Sequence, residues 1–182
     1  MNGHRCELVS RNGHRFKSWP QLAEEIAHAV RAKTAVLDGE ICCLDSDGRS
    51  NFRNLLFRRE WPYLFAFDLL MLEGEDLRSL PLLERKYRLA RIMPRVQCRL
   101  MYLDHIHERG SDLFRVACEG DVEGIVGKWA AGTYQRDQRS TSWLKVKNSD
   151  YSQMRDRHEL FEPRQSDRGV GRRSLTPTLR LI

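Results

Sequence analysis

Four stretches of the chain combine charged and apolar residues in ways that core packing alone does not require. The first is Leu144-Lys145-Val146-Lys147, directly after Trp143. In a strand, alternation puts both lysines on one face, about 7 Å apart, and turns Leu144 and Val146 inward. Two ammonium groups side by side repel each other unless an anion lies between them, and a phosphate meets that need. An edge strand with two solvated lysines has the same pattern. The second stretch is Glu123-Gly124-Ile125-Val126-Gly127-Lys128, in which an acid and a lysine flank a short apolar strand. Glycine lets a ligand approach the backbone, and a carboxylate near a phosphate commonly holds a divalent cation. A core strand capped by charges looks alike. Third, Asp38-Gly39-Glu40 interrupts an otherwise apolar strand. A carboxylate there must be hydrogen-bonded or functional, and ribose hydroxyls are suitable donors; a turn bearing acids is the plain alternative. Fourth, Phe67-Asp68 lies in the apolar run FAFDLL. An aromatic beside an acid offers a stacking platform for a base, although a phenylalanine there also suits a core.

Regular elements must carry these stretches. Alternation predicts strands over 5–10, 35–44 (broken at Gly39), 63–70, 96–103, 122–128 and 143–147. Asn12-Gly13 marks a turn and Asp47-Gly48 a hairpin. Ser18-Trp19-Pro20 opens a helix over 20–31 with Leu22, Ile26 and Val30 on one face. Further helices are expected over 51–59, from Pro81 to Ile92, and from a Ser111 cap to Glu119. Strands outnumber helices, which predicts an α+β domain with largely antiparallel sheets. No GxGxxG or GxxxxGK[ST] occurs, so neither a Rossmann unit nor a P-loop is present.

Composition narrows the class further. The 182 residues suffice for one domain with a hydrophobic core, and 41% are apolar. No apolar run approaches the ~18 residues that span a bilayer, and Met1–Ser10 lacks a signal-peptide core. The formal charge of +6 favours a polyanionic partner. Cys6, Cys42, Cys43, Cys98 and Cys118 form no CxxC pair, which fits free thiols in a reducing cytoplasm rather than a zinc site. Adjacent Cys42 and Cys43 face opposite ways in a strand. His105 and His107 read as surface residues, and Trp61 and Trp129 as packing residues.

In their order along the chain, DGE, FD, EGIVxK and WLKxK resemble the covalent nucleotidyltransferases: DNA ligases, RNA ligases and capping enzymes. Ser10-Arg11-Asn12-Gly13 resembles the SRxG element of the ligases. Asp38-Gly39-Glu40-Ile41, Phe65-Ala66-Phe67-Asp68 and the run 142–148 look like the ATP-dependent bacterial ligases related to end-joining repair systems. The resemblance covers residues 5–162. It implies an antiparallel-sheet nucleotidyltransferase domain, an ATP-grasp-like ligase adenylation domain. It also implies ATP and Mg2+ as cofactors, nicked double-stranded DNA as substrate, and nick sealing through enzyme-AMP and DNA-AMP in DNA repair and recombination, alongside end-joining repair proteins. By the same resemblance Glu40 binds the ribose hydroxyl, Phe67 stacks on adenine and Glu123 positions the metal. Lys145 and Lys147 hold the α-phosphate and Lys128 assists near the phosphates, so that Lys128, Lys145 and Lys147 form the catalytic set. Arg11 contacts the 5′-phosphate at the nick, a task suited to its bidentate fork.

The sequence departs from the family at two places. The nucleophilic lysine of the family lies in a KxDG motif ahead of SRxG, and the nine residues before Ser10, MNGHRCELV, contain no lysine. The expectation is an N-terminally incomplete adenylation domain that is inactive alone. After Lys147 only 35 residues remain, too few for the OB-fold domain that ligases usually carry. The expected organisation is a partial adenylation domain over 1–162 and a basic, disordered tail over 163–182. Two alternatives stand beside it: a non-catalytic nucleic-acid-binding remnant, and an RNA ligase or capping-type nucleotidyltransferase.

Overall fold

The computed structural model describes residues 5–135 and 143–153, together with the backbone of 179–181. Its elements, in chain order, are β1 (Leu8–Ser10), β2 (Arg15–Phe16), α1 (Pro20–Ala29), β3 (Ala35–Cys42), α2 (Phe52–Leu56), β4 (Tyr63–Leu72), β5 (Glu75–Asp76), α3 (Leu82–Ile92), β6 (Leu100–Tyr102), α4 (Gly110–Glu119), β7 (Gly124–Lys128), β8 (Trp143–Lys147) and β9 (Leu179–Leu181). They form a mixed α+β fold that divides into two units. The first comprises Met1–His105, Lys128–Trp143 and Pro177–Ile182; the second comprises Ile106–Gly127 and Leu144–Thr176.

In the first unit the apolar runs of β3 and β4 pair antiparallel at the centre of a sheet with order β2-β1-β9-β3-β4-β5, and β6 lies against β4. Most pairs are antiparallel, as the pattern predicts. The exception is β4 with β6, which run parallel because α3 forms the crossover between them. One face of the sheet is covered by apolar side chains of the helices. From α1 come Leu22 and Ile26, one turn apart, and from α3 come Leu89 and Ile92. These meet Leu37 and Ile41 of β3 and Leu64, Ala66 and Leu69 of β4 in one core. Pro20 opens α1, where its missing N–H is no loss. Asn51 caps α2 by accepting a hydrogen bond from the Asn54 amide at 3.0 Å.

The core positions of β4 step by two from Leu64 to Ala66 and then by three to Leu69. The register explains the extra residue: Gly39 faces Ala66 and Asp38 faces Asp68, which leaves Phe67 without a partner across the ladder. A second shift leaves Leu70 unpaired. Such bulges bend a strand and re-aim its side chains. Gly39 is required beside the first of them, because a Cβ there would lie 2.7 Å from the Phe65 carbonyl oxygen.

The second unit holds α4 and the two-stranded sheet of β7 with β8, whose end residues Lys128 and Trp143 fall in the first unit. Helix α4 begins at Gly110 with Arg109 at its cap position and no side-chain cap, so Ser111 lies inside the first turn rather than before it. Leu144 is 67% exposed rather than turned inward, since a two-stranded sheet has little to bury its faces against. Trp129 at 66% and Trp61 at 38% are likewise surface residues, not packing residues. Expected disorder over 163–182 concerns residues outside those described, except that 179–181 pair as β9 between β1 and β3. Among the described residues no helix is long and apolar enough to cross a membrane.

Candidate functional site

The bulge in β4 sets up a cluster of buried charge in the first unit. Asp68 is fully buried, and α3 answers it with Arg85: Nε donates to Oδ1 at 2.8 Å and Nη2 to Oδ2 at 2.9 Å. This fork-on-carboxylate pairing is the strong form of an ion pair. Arg85 Nη1 also donates to the carbonyls of Leu80 and Gly132, so one guanidinium ties β4, α3 and the segment after β7 together. Asp38, buried opposite Asp68, accepts a hydrogen bond from the Tyr134 hydroxyl at 2.8 Å. Lys86, next on α3, donates to the carbonyls of Leu103 at 2.8 Å and Phe67 at 3.4 Å, and burial pulls its ammonium below the ordinary lysine range.

Lys128 differs from Arg85 and Lys86, whose side-chain nitrogens donate to carboxylate or carbonyl oxygens. Its ammonium lies 4.0 Å from the Phe67 ring centroid and 3.9 Å from that of Trp143. The two rings meet at 84° with centroids 6.5 Å apart, forming a corner that Nζ fills. Tyr134 packs edge-on against Trp143, with ring centroids 6.1 Å apart. Nζ is buried and has no hydrogen-bond partner among the described residues. Burial pushes its pKa down to about 8, against the attraction of Asp68 and Asp38 and with the repulsion of Lys86 and Arg85.

The other sequence-predicted residues fall at separate places. Glu40 is exposed on β3, across the ladder from Phe65 and on the strand face shared by Asp38 and Cys42. Burial, with Glu40 nearby, pushes the Cys42 thiol up to about 12, which disfavours its thiolate. Arg11 is exposed at the β1–β2 turn, where Gly13 (φ 81°) donates to the Ser10 carbonyl at 2.9 Å. In the second unit Glu123 immediately precedes β7, and its carbonyl accepts from the Asn148 amide at 2.8 Å. Lys145 and Lys147 are exposed on β8, separated by half-buried Val146. Gly124, at φ 150°, tolerates no side chain because a Cβ would overlap the Val146 carbonyl oxygen. Thus Phe67 and Lys128 are brought together in the first unit, while Glu123, Lys145 and Lys147 share the small sheet of the second.

Arg85, Lys86 and Tyr134 lie outside the sequence motifs, and Trp143 opens WLKxK without a role of its own being read from it. The first two carried a readable signal. Positions 82, 85, 86, 89 and 92 form the buried stripe of α3, and two cations in such a stripe require buried acceptors.

Residues 1–147 match the family model described as the ATP dependent DNA ligase domain. The chain therefore belongs to the ATP-dependent DNA ligase family. It is 34% identical over 180 residues to the multifunctional non-homologous end joining protein LigD of Pseudomonas aeruginosa, covering 93% of this chain and 21% of that protein. Among solved structures it resembles the ligase domain of M. tuberculosis LigD, with 26% identity and a TM-score of 0.61 over 81% of this chain and 52% of that one. It resembles equally a mycobacterial DNA ligase D complexed with ATP and MES, with 27% identity, a TM-score of 0.62 and the same coverages, 81% and 52%. The chain thus spans about a fifth of the Pseudomonas protein and about half of the solved ligase chains. Both solved neighbours have the ligase domain's α+β architecture, which agrees with the fold class predicted from the motifs.

Proposed function

We propose that this chain is the nucleotide-binding part of a cytoplasmic, ATP-dependent DNA ligase of the bacterial end-joining type, acting on nicked double-stranded DNA together with end-joining repair proteins. The observation that carries the reading is Lys128, a buried ammonium beside an aromatic ring with no hydrogen-bond acceptor among the described residues. A nucleoside triphosphate offers both missing partners, a phosphate for the cation and a base for the ring.

In this reading Phe67 stacks on adenine and Glu40 accepts from the ribose hydroxyls. Lys128, Lys145 and Lys147 hold phosphate oxygens and offset their charge. Arg11 grips the 5′-phosphate of the nick. Among the described residues no three His, Cys, Asp or Glu side chains are grouped to hold a metal ion. Mg2+ would therefore be held by Glu123 together with phosphate oxygens, as magnesium usually is. ATP supplies the activated adenylyl group that ligation consumes. The chain's own part is to exclude water from the base, fix the nucleoside and neutralise the phosphates.

The test combines equilibrium binding of ATP with incubation in α-labelled ATP and magnesium followed by denaturing electrophoresis. We expect non-covalent binding that Phe67→Ala and Lys145→Ala weaken, and no label surviving denaturation. Absence of ATP binding overturns the nucleotide reading. An acid-labile covalent band overturns the statement that the nucleophile lies outside these residues.

A further inference from the structure

We propose that the outward face of α3, together with Arg31 beside its C-terminal end, is a docking surface for an acidic, partly apolar segment of a partner protein. The inference goes beyond the nucleotide-binding reading and uses none of the residues assigned there.

Helix α3 buries Leu82, Arg85, Lys86, Leu89 and Ile92, and its other positions face water. A solvated helix face is ordinarily polar. Here Leu83 and Tyr87, one turn apart, are exposed large apolar side chains, Tyr87 by 59%. The Leu83 amide donates to the Ala130 carbonyl at 3.2 Å, which brings the chain at exposed Trp129 to the start of the helix. Trp, Tyr and Arg are the residue types that most often anchor protein interfaces.

The same stripe continues one turn beyond Tyr87 into exposed Arg91, whose guanidinium lies 5.7 Å from the Tyr87 ring centroid. Arg31 is fixed alongside, because its amide donates to the Ile92 carbonyl at 2.8 Å and ties the turn after α1 to the end of α3. Arg31, Arg88 and Arg91, with Leu72 and Ile92, line an open pocket of about 400 Å³. The carboxylates around it are already engaged. Glu84 and Glu75 both accept from Arg88, each at 3.0 Å, and Glu73 accepts from the amides of Lys33 at 2.7 Å and Thr34 at 3.3 Å. Among the described residues neither Arg31 nor Arg91 has a carboxylate partner. A single arginine in the last turn serves the helix dipole, but that does not account for a second one supplied by another element. Two guanidinium forks in one pocket call for carboxylates between them.

The mixed charge selects a protein segment over a nucleic acid. Glu75 and Glu84, held at the pocket by Arg88, would repel a run of phosphates, whereas one or two carboxylates set beside apolar side chains match Arg31, Arg91, Tyr87 and Leu83 together. Position agrees. Leu72 pairs with Ala35 at one end of the β3–β4 ladder. Val9 and Ser10 lie level with Asp38 and Gly39 through β9, and the chain runs on to Arg11 away from Ala35. The pocket is therefore toward the end of the ladder opposite the turn assigned to DNA.

The experiment follows the fluorescence anisotropy of a labelled, amidated peptide, Leu-Phe-Gly-Ser-Glu-Glu, and of its Gln-Gln counterpart, mixed with the full chain. We expect the acidic peptide to bind and the neutral one to bind several-fold more weakly. Arg31→Ala and Arg91→Ala should each weaken the acidic peptide by about two- to tenfold, Tyr87→Ser should weaken both peptides, and Arg91→Lys, which keeps charge without the fork, should fall between wild type and Arg91→Ala. Urea midpoints equal to wild type separate lost binding from lost folding; where an alanine variant is less stable, Arg91→Lys decides. ATP binding by the same variants should be unchanged, so failure of the nucleotide reading and failure of this one are read separately. No binding of the acidic peptide, or binding indifferent to Arg31, Arg91 and the Glu-to-Gln exchange, overturns the proposal. Loss of nicked-duplex binding by Arg31→Ala and Arg91→Ala gives the surface to nucleic acid and overturns it also, as does self-association in sedimentation that Arg91→Ala abolishes, which gives it to a second copy.

Discussion

Replacing Lys128 by methionine should stabilise the folded protein at neutral pH, an unusual outcome for a substitution beside two aromatic rings. A lysine in the unfolded chain titrates near 10.5, whereas burial holds Lys128 at about 8. Between these values the unfolded chain binds a proton that the folded chain does not. Stability therefore rises with pH across that window. Below about 8 both states are protonated, and the folded state carries the full penalty of a buried charge. The depression corresponds to roughly 3 kcal/mol. The contacts of the ammonium with Phe67 and Trp143 act in the opposite sense, at about 0.5–2 kcal/mol. Methionine has a similar length, is neutral, and keeps favourable contact with aromatic rings. The expected net gain at pH 7 is about 1–2 kcal/mol, and it should vanish by pH 10.5. Urea unfolding of both proteins at half-unit steps from pH 7 to 10.5 measures it, and taking the difference between them cancels the titration of other groups. A variant less stable than wild type at pH 7, or a difference that does not change between pH 8 and 10, would refute the reasoning.

Other outcomes follow from the same geometry. Arg85→Met leaves Asp68 charged and buried without its fork, so unfolding free energy should fall by about 3–5 kcal/mol and recover in part when Asp68→Asn is added, as denaturant titration will show. Gly39→Ala places a methyl 2.7 Å from the Phe65 carbonyl oxygen, and a loss of about 1–3 kcal/mol is expected in thermal unfolding. Fusing a segment that bears KxDGxR ahead of residue 5 should yield a protein that takes up AMP covalently, with Lys145→Ala and Lys147→Ala as controls; a folded fusion that never labels would show that the remaining groups are insufficient.

The helical stripes of α1 and α3 and the apolar runs of β3 and β4 were legible because burial of one face imposes a period on the sequence. The motif order was legible for a different reason: residues such as Glu40, Phe67 and Lys128 stand where packing does not ask for them. The bulge at Phe67 was not legible, since one unpaired residue alters which face a side chain takes without altering composition. Asp68 did hint at it, because strict alternation would have driven its carboxylate toward the core side. The exposure of Leu144 was missed because the strand pattern says which side chains share a face but not whether anything covers it. Parallel pairing of β6 with β4 depends on where α3 returns the chain, which is a property of the crossover rather than of residues 100–102. The partnership of Arg85 with Asp68 spans 17 residues and only appears once α3 lies on the sheet.

The position of β9 bears on the order in which the molecule is made. Leu8, Val9 and Ser10 pair across the sheet with Leu181, Arg180 and Leu179, and β3 pairs with the same strand through Asp38 and Gly39. The β1–β2 hairpin that carries Arg11 therefore joins the main ladder, among the described strands, only through residues translated more than 160 positions later. On the ribosome, β3, β4, α3 and β6 can assemble as soon as they emerge, being close in sequence, and Leu8 of the hairpin can pack into that core, while the hairpin's ladder pairing waits. Closing the ladder beside Arg11 is thus the late, non-local step of folding, and its rate should respond to changes in 179–181.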